Sequence, residues 1–135
     1  SVDVYFLHSR IYEDWGLTKL YTHIDGEKNH EGLHADMVLK RILFLEGQPD
    51  VASREAFKID LSVKAMLEQS LKYETENQAQ LKDLIELCET EKDFETRNML
   101  LTLLKDTEED HIKWIEIQLG LIQKVGEQNY YQSQM

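Results

Sequence analysis

Residues 20–45 read LYTHIDGEKNHEGLHADMVLKRILFL, and the fold turns on how that stretch is phased. Positions taken three or four apart, Leu20, Ile24, Glu27, Glu31, His34, Val38, Ile42 and Leu45, share one face of an α-helix. That face is apolar at both ends and ionisable in its middle. The same reading on two later stretches gives Leu67, Leu71, Glu74, Gln78, Leu81, Ile85, Cys88, interrupted at Glu74, and Leu101, Leu104, Glu108, His111, Ile115, Leu119, Ile122, interrupted by a Glu and a His together. Helices phased in this way bury those faces against one another, so three of them carry carboxylates toward a core.

Punctuation sets the boundaries. Gly16 ends a first helix that begins at or before Ser1 and runs to about Trp15, and Thr18 is placed to cap a second reaching about Leu45. Gly47-Gln48-Pro49-Asp50 closes that helix. Residues 50–60 show no sustained period and read as a long connection. Ser62 caps a third helix to about Thr90, Asp93 a fourth to about Val125, and 127–135 suffices for a short terminal helix. Two tight hairpins joined by one long crossover make an all-α four-helix bundle with a short C-terminal fifth helix. No internal repeat or low-complexity stretch divides residues 1–135, so a single domain is expected.

Composition narrows the function. The 135 residues carry 26 acidic and 15 basic side chains, a net charge of −11, and 41% hydrophobic residues with a single proline. A chain of this size buries roughly two-thirds of its unfolded surface, so a folded core is expected. Its acidity excludes a polyanion-binding surface, whether nucleic acid or anionic lipid. Cys88 alone cannot form an internal disulfide, and no run of about 18 apolar residues or signal-peptide pattern is present, which points to a reducing, cytoplasmic setting.

Buried carboxylates need a partner, because desolvating an ion costs several kcal/mol even in a relaxed protein. Lys and Arg are nearly absent from the three stripes, which favours a metal ion over salt bridges. Glu31 with His34 and Glu108 with His111 are Glu-x-x-His pairs, whose spacing sets carboxylate and imidazole on one helix face within reach of one cation. A third pair is Glu27 with His30. Shuffling this composition yields the motif roughly once. The plain alternative is a solvated face, since a one-position error of register rotates a helix by about 100 degrees.

At these residues the chain resembles the ferritin-like di-iron proteins, and within them the bacterioferritins. The match includes Tyr5-Phe6-Leu7-His8-Ser9-Arg10, Asp14-Trp15-Gly16, His34-Ala35-Asp36, Arg41-Ile42-Leu43-Phe44-Leu45-Glu46-Gly47 and Glu108-Glu109-Asp110-His111-Ile112-Lys113-Trp114, and extends over essentially the whole chain. The general pattern is one Glu from each of two helices and Glu-x-x-His from each of the other two. The resemblance implies that Glu31 and Glu108 bridge two irons, that His34 and His111 ligate one each, and that Glu74 is the terminal carboxylate on the iron held by His111. Tyr5 is implied as a partner of a ligand carboxylate.

Two departures stand out. The resemblance implies a further Glu on the first helix seven residues before Tyr5, ahead of Ser1, and the N-terminal part of that helix is expected to be missing here. Asp3 is a poor substitute, so the site at His34 is expected to be the weaker one. Gly32 stands where bacterioferritins carry the Met that binds haem between two subunits; glycine offers no thioether, and Met37 lies too far round the helix to replace it. No haem is expected from this chain alone.

Near the same arc, His30 and Glu27, with His23 close by, are candidates for an extra iron position on an inner surface, although Gly26 stands where a second ligand is frequent. His8, Trp15 and Trp114 read as packing residues, and Cys88 as a small buried hydrophobe. Three functions compete. The first is an iron-storage ferroxidase subunit of a shell, 24 subunits by resemblance, that oxidises Fe(II) with dioxygen or peroxide and stores Fe(III) mineral. The second is a structural, haem-free subunit co-assembling with a complete chain. The third is a di-iron redox enzyme of rubrerythrin type, disfavoured by the lack of a Cys-x-x-Cys module.

Overall fold

The computed structural model describes residues 2–135, whose regular elements are all helices, with no strand among them. The expected start of the first helix at or before Ser1 lies outside the described residues. Two compact units are present, one formed by the chain up to Asp60 with Tyr131–Met135, the other by Leu61–Tyr130.

In the first unit, α1 (Val2–Asp14) and α2 (Thr18–Phe44) form a hairpin. α1 buries Val4, Tyr5, His8, Ser9 and Tyr12, a single face at helical spacing. Its end is a Schellman motif: Leu17 N–H donates to Tyr12 O and Gly16 N–H to Glu13 O, with Gly16 at φ +74°. This corrects the expected cap at Thr18. The buried Leu17 closes α1 and is itself the residue before α2, so Thr18 is already helical and no side chain caps α2. Asp25 accepts from Arg10 across the hairpin at 3.1 Å and from Lys28 on its own helix at 2.8 Å, and Lys28, with Arg10 in support, holds its carboxyl below the ordinary range.

α2 ends one residue earlier than expected, in a second Schellman motif with Glu46 at φ +63°. Gly47 follows it because a Cβ there would meet the Ile42 side chain at 3.0 Å. Residues 45–62 carry no regular secondary structure, as read from the missing period. Asp50 accepts from the backbone N–H of Ala52 and Ser53, and those bonds, Ser53's foremost, lower its carboxyl pKa. Arg54 pairs with Asp3 of α1.

The second unit starts with α3 (Val63–Thr90), whose N-cap Ser62 accepts from Ala65 N–H as expected. A third Schellman turn puts Lys92 at φ +58°, while Asp93 donates its N–H to Cys88 O and caps the next helix through Thr96 N–H. A lysine in left-handed backbone costs roughly 1 kcal/mol relative to glycine. Lys92→Gly is therefore expected to raise stability by about that amount, read as a higher denaturant midpoint at unchanged slope.

The long helix expected from Asp93 to Val125 is continuous but not uniform. It comprises α4 (Phe94–Lys105), a π-helical segment (Asp106–Ile112) and α5 (Lys113–Val125). Its buried stripe begins on Leu100, Leu103 and Thr107, whereas Leu101 is exposed. Leucines at 100/101 and 103/104 fit either phase, which is why the expected register was one residue off there. From His111 onward, Ile115 and Ile122 are buried as read. After Gly126 at φ +82°, α6 (Glu127–Gln134) supplies Tyr130, whose buried hydroxyl donates to Gln118 Oε1 at 2.7 Å; burial pushes its phenol pKa upward.

Candidate metal centre

In the second unit, Glu74 of α3 and His111 of the π-helical segment face each other, with Glu74 Oε1 3.3 Å from His111 Nδ1 and both side chains 2% exposed. Water cannot compensate a carboxylate and an imidazole at that depth, so each depends on groups of the protein or on a bound cation. One turn along α3, Gln78 donates Nε2–H to Glu108 Oε2 at 2.8 Å, and Asn77 donates to Thr107 Oγ1 at 3.3 Å. Glu108 is half-buried. Glu74 thus pairs with His111, and Glu108 with Gln78 one turn further along α3, all on the faces assigned to them by spacing.

In the first unit, Glu31 and His34 form the expected pair on one turn of α2, Glu31 Oε1 lying 3.5 Å from His34 Nδ1, with side chains 12% and 18% exposed. Tyr5 is buried on α1. His30 is exposed, its ring stacked on that of His34 with centroids 6.3 Å apart. Glu27 is half-buried and faces His23, 3.9 Å away at i−4. Gly32 is exposed, and a Cβ built on it meets nothing within 4 Å.

Carboxylate oxygen and imidazole nitrogen form a donor set that suits a first-row cation such as iron in both oxidation states. That chemistry fits Glu74, Glu108 and His111, and also Glu31 and His34. Gly32 does not fit haem, for it brings no axial donor.

Sequence reasoning missed two features. One is the π-helical segment, a rare form that recurs at functional sites; Asp-Thr-Glu-Glu-Asp-His-Ile has no propensity that separates it from ordinary helix. The other is the pair of amides at 77 and 78. Gln78 was visible on the α3 stripe, but spacing alone names no partner for it.

Comparison with known proteins concerns the chain as a whole. The ferritin-like domain family matches residues 1–125. A protein of a Synechocystis species named bacterial ferritin is 51% identical over 133 residues, 98% of this chain and 85% of its own length. A bacterial ferritin of Paramagnetospirillum magnetotacticum is 48% identical, covering 98% of this chain and 82% of its own. A bacterioferritin of Brucella melitensis is 38% identical over 98% and 81% respectively.

Proposed function

Given that the chain belongs to the ferritin-like family and has the ferritin-like helical fold, we propose that it is an iron-storage ferroxidase subunit, one ferritin-like domain over residues 1–135. Iron is its substrate and cargo. The observation that carries the reading is the buried Glu74–His111 pair, a carboxylate and an imidazole at 3.3 Å.

In this reading two Fe(II) ions are held by Glu31, His34, Glu74, Glu108 and His111. Glu31 and Glu108 bridge, His34 and His111 ligate one ion each, and Glu74 completes the iron of His111. Tyr5 hydrogen-bonds a ligand carboxylate and fixes its orientation. Each Fe(II) gives up one electron. Dioxygen takes both with two protons and leaves as hydrogen peroxide, or peroxide takes both with two protons and leaves as water. Carboxylates favour the Fe(III) product, because hard oxygen donors stabilise the higher charge. The product then moves to mineral inside an oligomeric shell, 24 subunits by resemblance, whose acidic inner faces attract cations. Glu27 and His30 are an inner-surface position on that route. No described helix is long and apolar enough to cross a membrane, and a cytoplasmic location is part of the proposal.

Stopped-flow mixing of the assembled protein with Fe(II) and dioxygen tests this. A fast oxidation phase saturating at two Fe(II) per chain is expected. Its absence from an assembled, folded oligomer overturns the proposal in favour of a structural subunit that relies on a partner chain.

A further inference from the structure

Beyond the ligand residues, the second unit holds a further arrangement. α3 presents Glu74, Asn77 and Gln78 on one face, and each meets a residue of the π-helical segment: Glu74 with His111, Asn77 with Thr107, Gln78 with Glu108. A π-helical turn is a rare form, seldom longer than a single turn inside an α-helix. A segment running from Asp106 to Ile112 depends on its neighbours to hold it. Two of the three contacts have clear duties. Glu74 and His111 are both candidate ligands, and Asn77–Thr107 joins two neutral groups at 3.3 Å, which can only hold the backbone of the segment in place.

Gln78–Glu108 differs from both. At 2.8 Å it is a short hydrogen bond to a carboxylate, of the charge-assisted class that is roughly twice as strong as a neutral one. Its sense is set by chemistry, since the amide oxygen of Gln78 would repel Glu108, so the NH2 group must donate. It also leaves Glu108 able to bind metal. A carboxylate has about four lone-pair sites, and a bridging carboxylate uses one on each oxygen, so the bond from Gln78 can persist while Glu108 spans two cations.

We propose that Gln78 is a positioning residue for Glu108: it holds the carboxylate in the orientation that bridges two metal ions, before and during their binding. The inference rests on the proposed function in taking Glu108 as a ligand, and it goes further in naming a group on another helix that aims it. Gln78 touches no substrate in this scheme. It acts through Glu108 alone.

Co(II), whose visible absorption reports ligand number and geometry, is the probe, titrated into the assembled protein and into Gln78→Leu and Asn77→Ala. Loss of a group that orients a ligand typically weakens metal binding by about 10–100-fold. Gln78→Leu is expected to show that loss together with an altered d–d band while the metal-free protein still folds cooperatively, whereas Asn77→Ala binds Co(II) as the parent does. If Gln78→Leu does not fold, Gln78→Met, which keeps the unbranched length, is read the same way. Parent-like affinity and spectrum in the Gln78 variant overturn this inference and leave the proposed function standing. Equal losses in both variants overturn it too, because Gln78 then only holds the segment. A parent protein that takes up no Co(II) overturns the proposed function and this inference with it.

Discussion

Substituting Glu74→Met and His111→Leu together is expected to abolish rapid Fe(II) oxidation and, at the same time, to raise the thermal stability of the iron-free protein. The two effects have one cause. Both side chains are 2% exposed and face each other at 3.3 Å, so the folded chain bears the desolvation of both groups, which under the proposed function a bound cation would offset. Replacing a buried ionic pair by apolar side chains of similar volume is often stabilising by about 1–4 kcal/mol. The single variant His111→Leu should go the other way, because it leaves the Glu74 carboxylate buried without that imidazole, a change in the class that costs about 3–5 kcal/mol. A double-mutant cycle on the iron-free protein reads the sign reversal directly. Oxidation, followed by stopped-flow absorbance, should fall by more than about 100-fold in the double variant, beyond the loss typical of residues that only support a ligand. A double variant that still shows the fast phase would mean that iron is oxidised elsewhere. One with lowered stability would mean that the pair is there to hold the fold.

Where the chain announces its structure, it does so through backbone chemistry. Ser62 and Asp93 cap their helices because a short side-chain oxygen reaches the first free N–H groups. Gly16 and Gly126 end theirs at positive φ. Thr18 had the right residue type for a cap and was preempted. The turn at Gly16 was already closed by Leu17, whose burial depends on packing that no local signal encodes.

The site follows the same division. The burial and pairing of Glu74 with His111, and of Glu31 with His34, were legible because burying an acid is costly enough to make its place on an apolar stripe conspicuous. The doubled leucines at 100/101 and 103/104 hid the phase of the fourth stripe. The π-helical segment has no composition of its own, and the Gln78–Glu108 bond joins residues 30 apart in sequence, so neither was accessible from periodicity.

Gly32→Met is expected to give the chain a haem site that glycine at this position does not supply. Gly32 lies between Glu31 and His34 on α2, exposed, with ordinary helical backbone and nothing within 4 Å of a Cβ built there. The first side-chain carbon therefore meets no obstacle within the chain, and removing a mid-helix glycine should add roughly 0.5–1 kcal/mol of stability. Its thioether would supply the axial donor that glycine lacks, at the place where the bacterioferritin resemblance puts haem between two subunits. Met37 is already present and 37% exposed, but sits five positions and about 140 degrees round the helix from Gly32, so it serves as the internal control: if it could ligate, the parent protein would take up haem. Adding haem to the assembled variant should produce a Soret band with the features of two thioether ligands, and the parent should show none. Because Glu31 and His34 are untouched, iron oxidation should persist in the variant. An assembled Gly32→Met protein without a Soret band would show that more than the missing thioether keeps haem out, and would move attention from residue 32 to the surface that surrounds it.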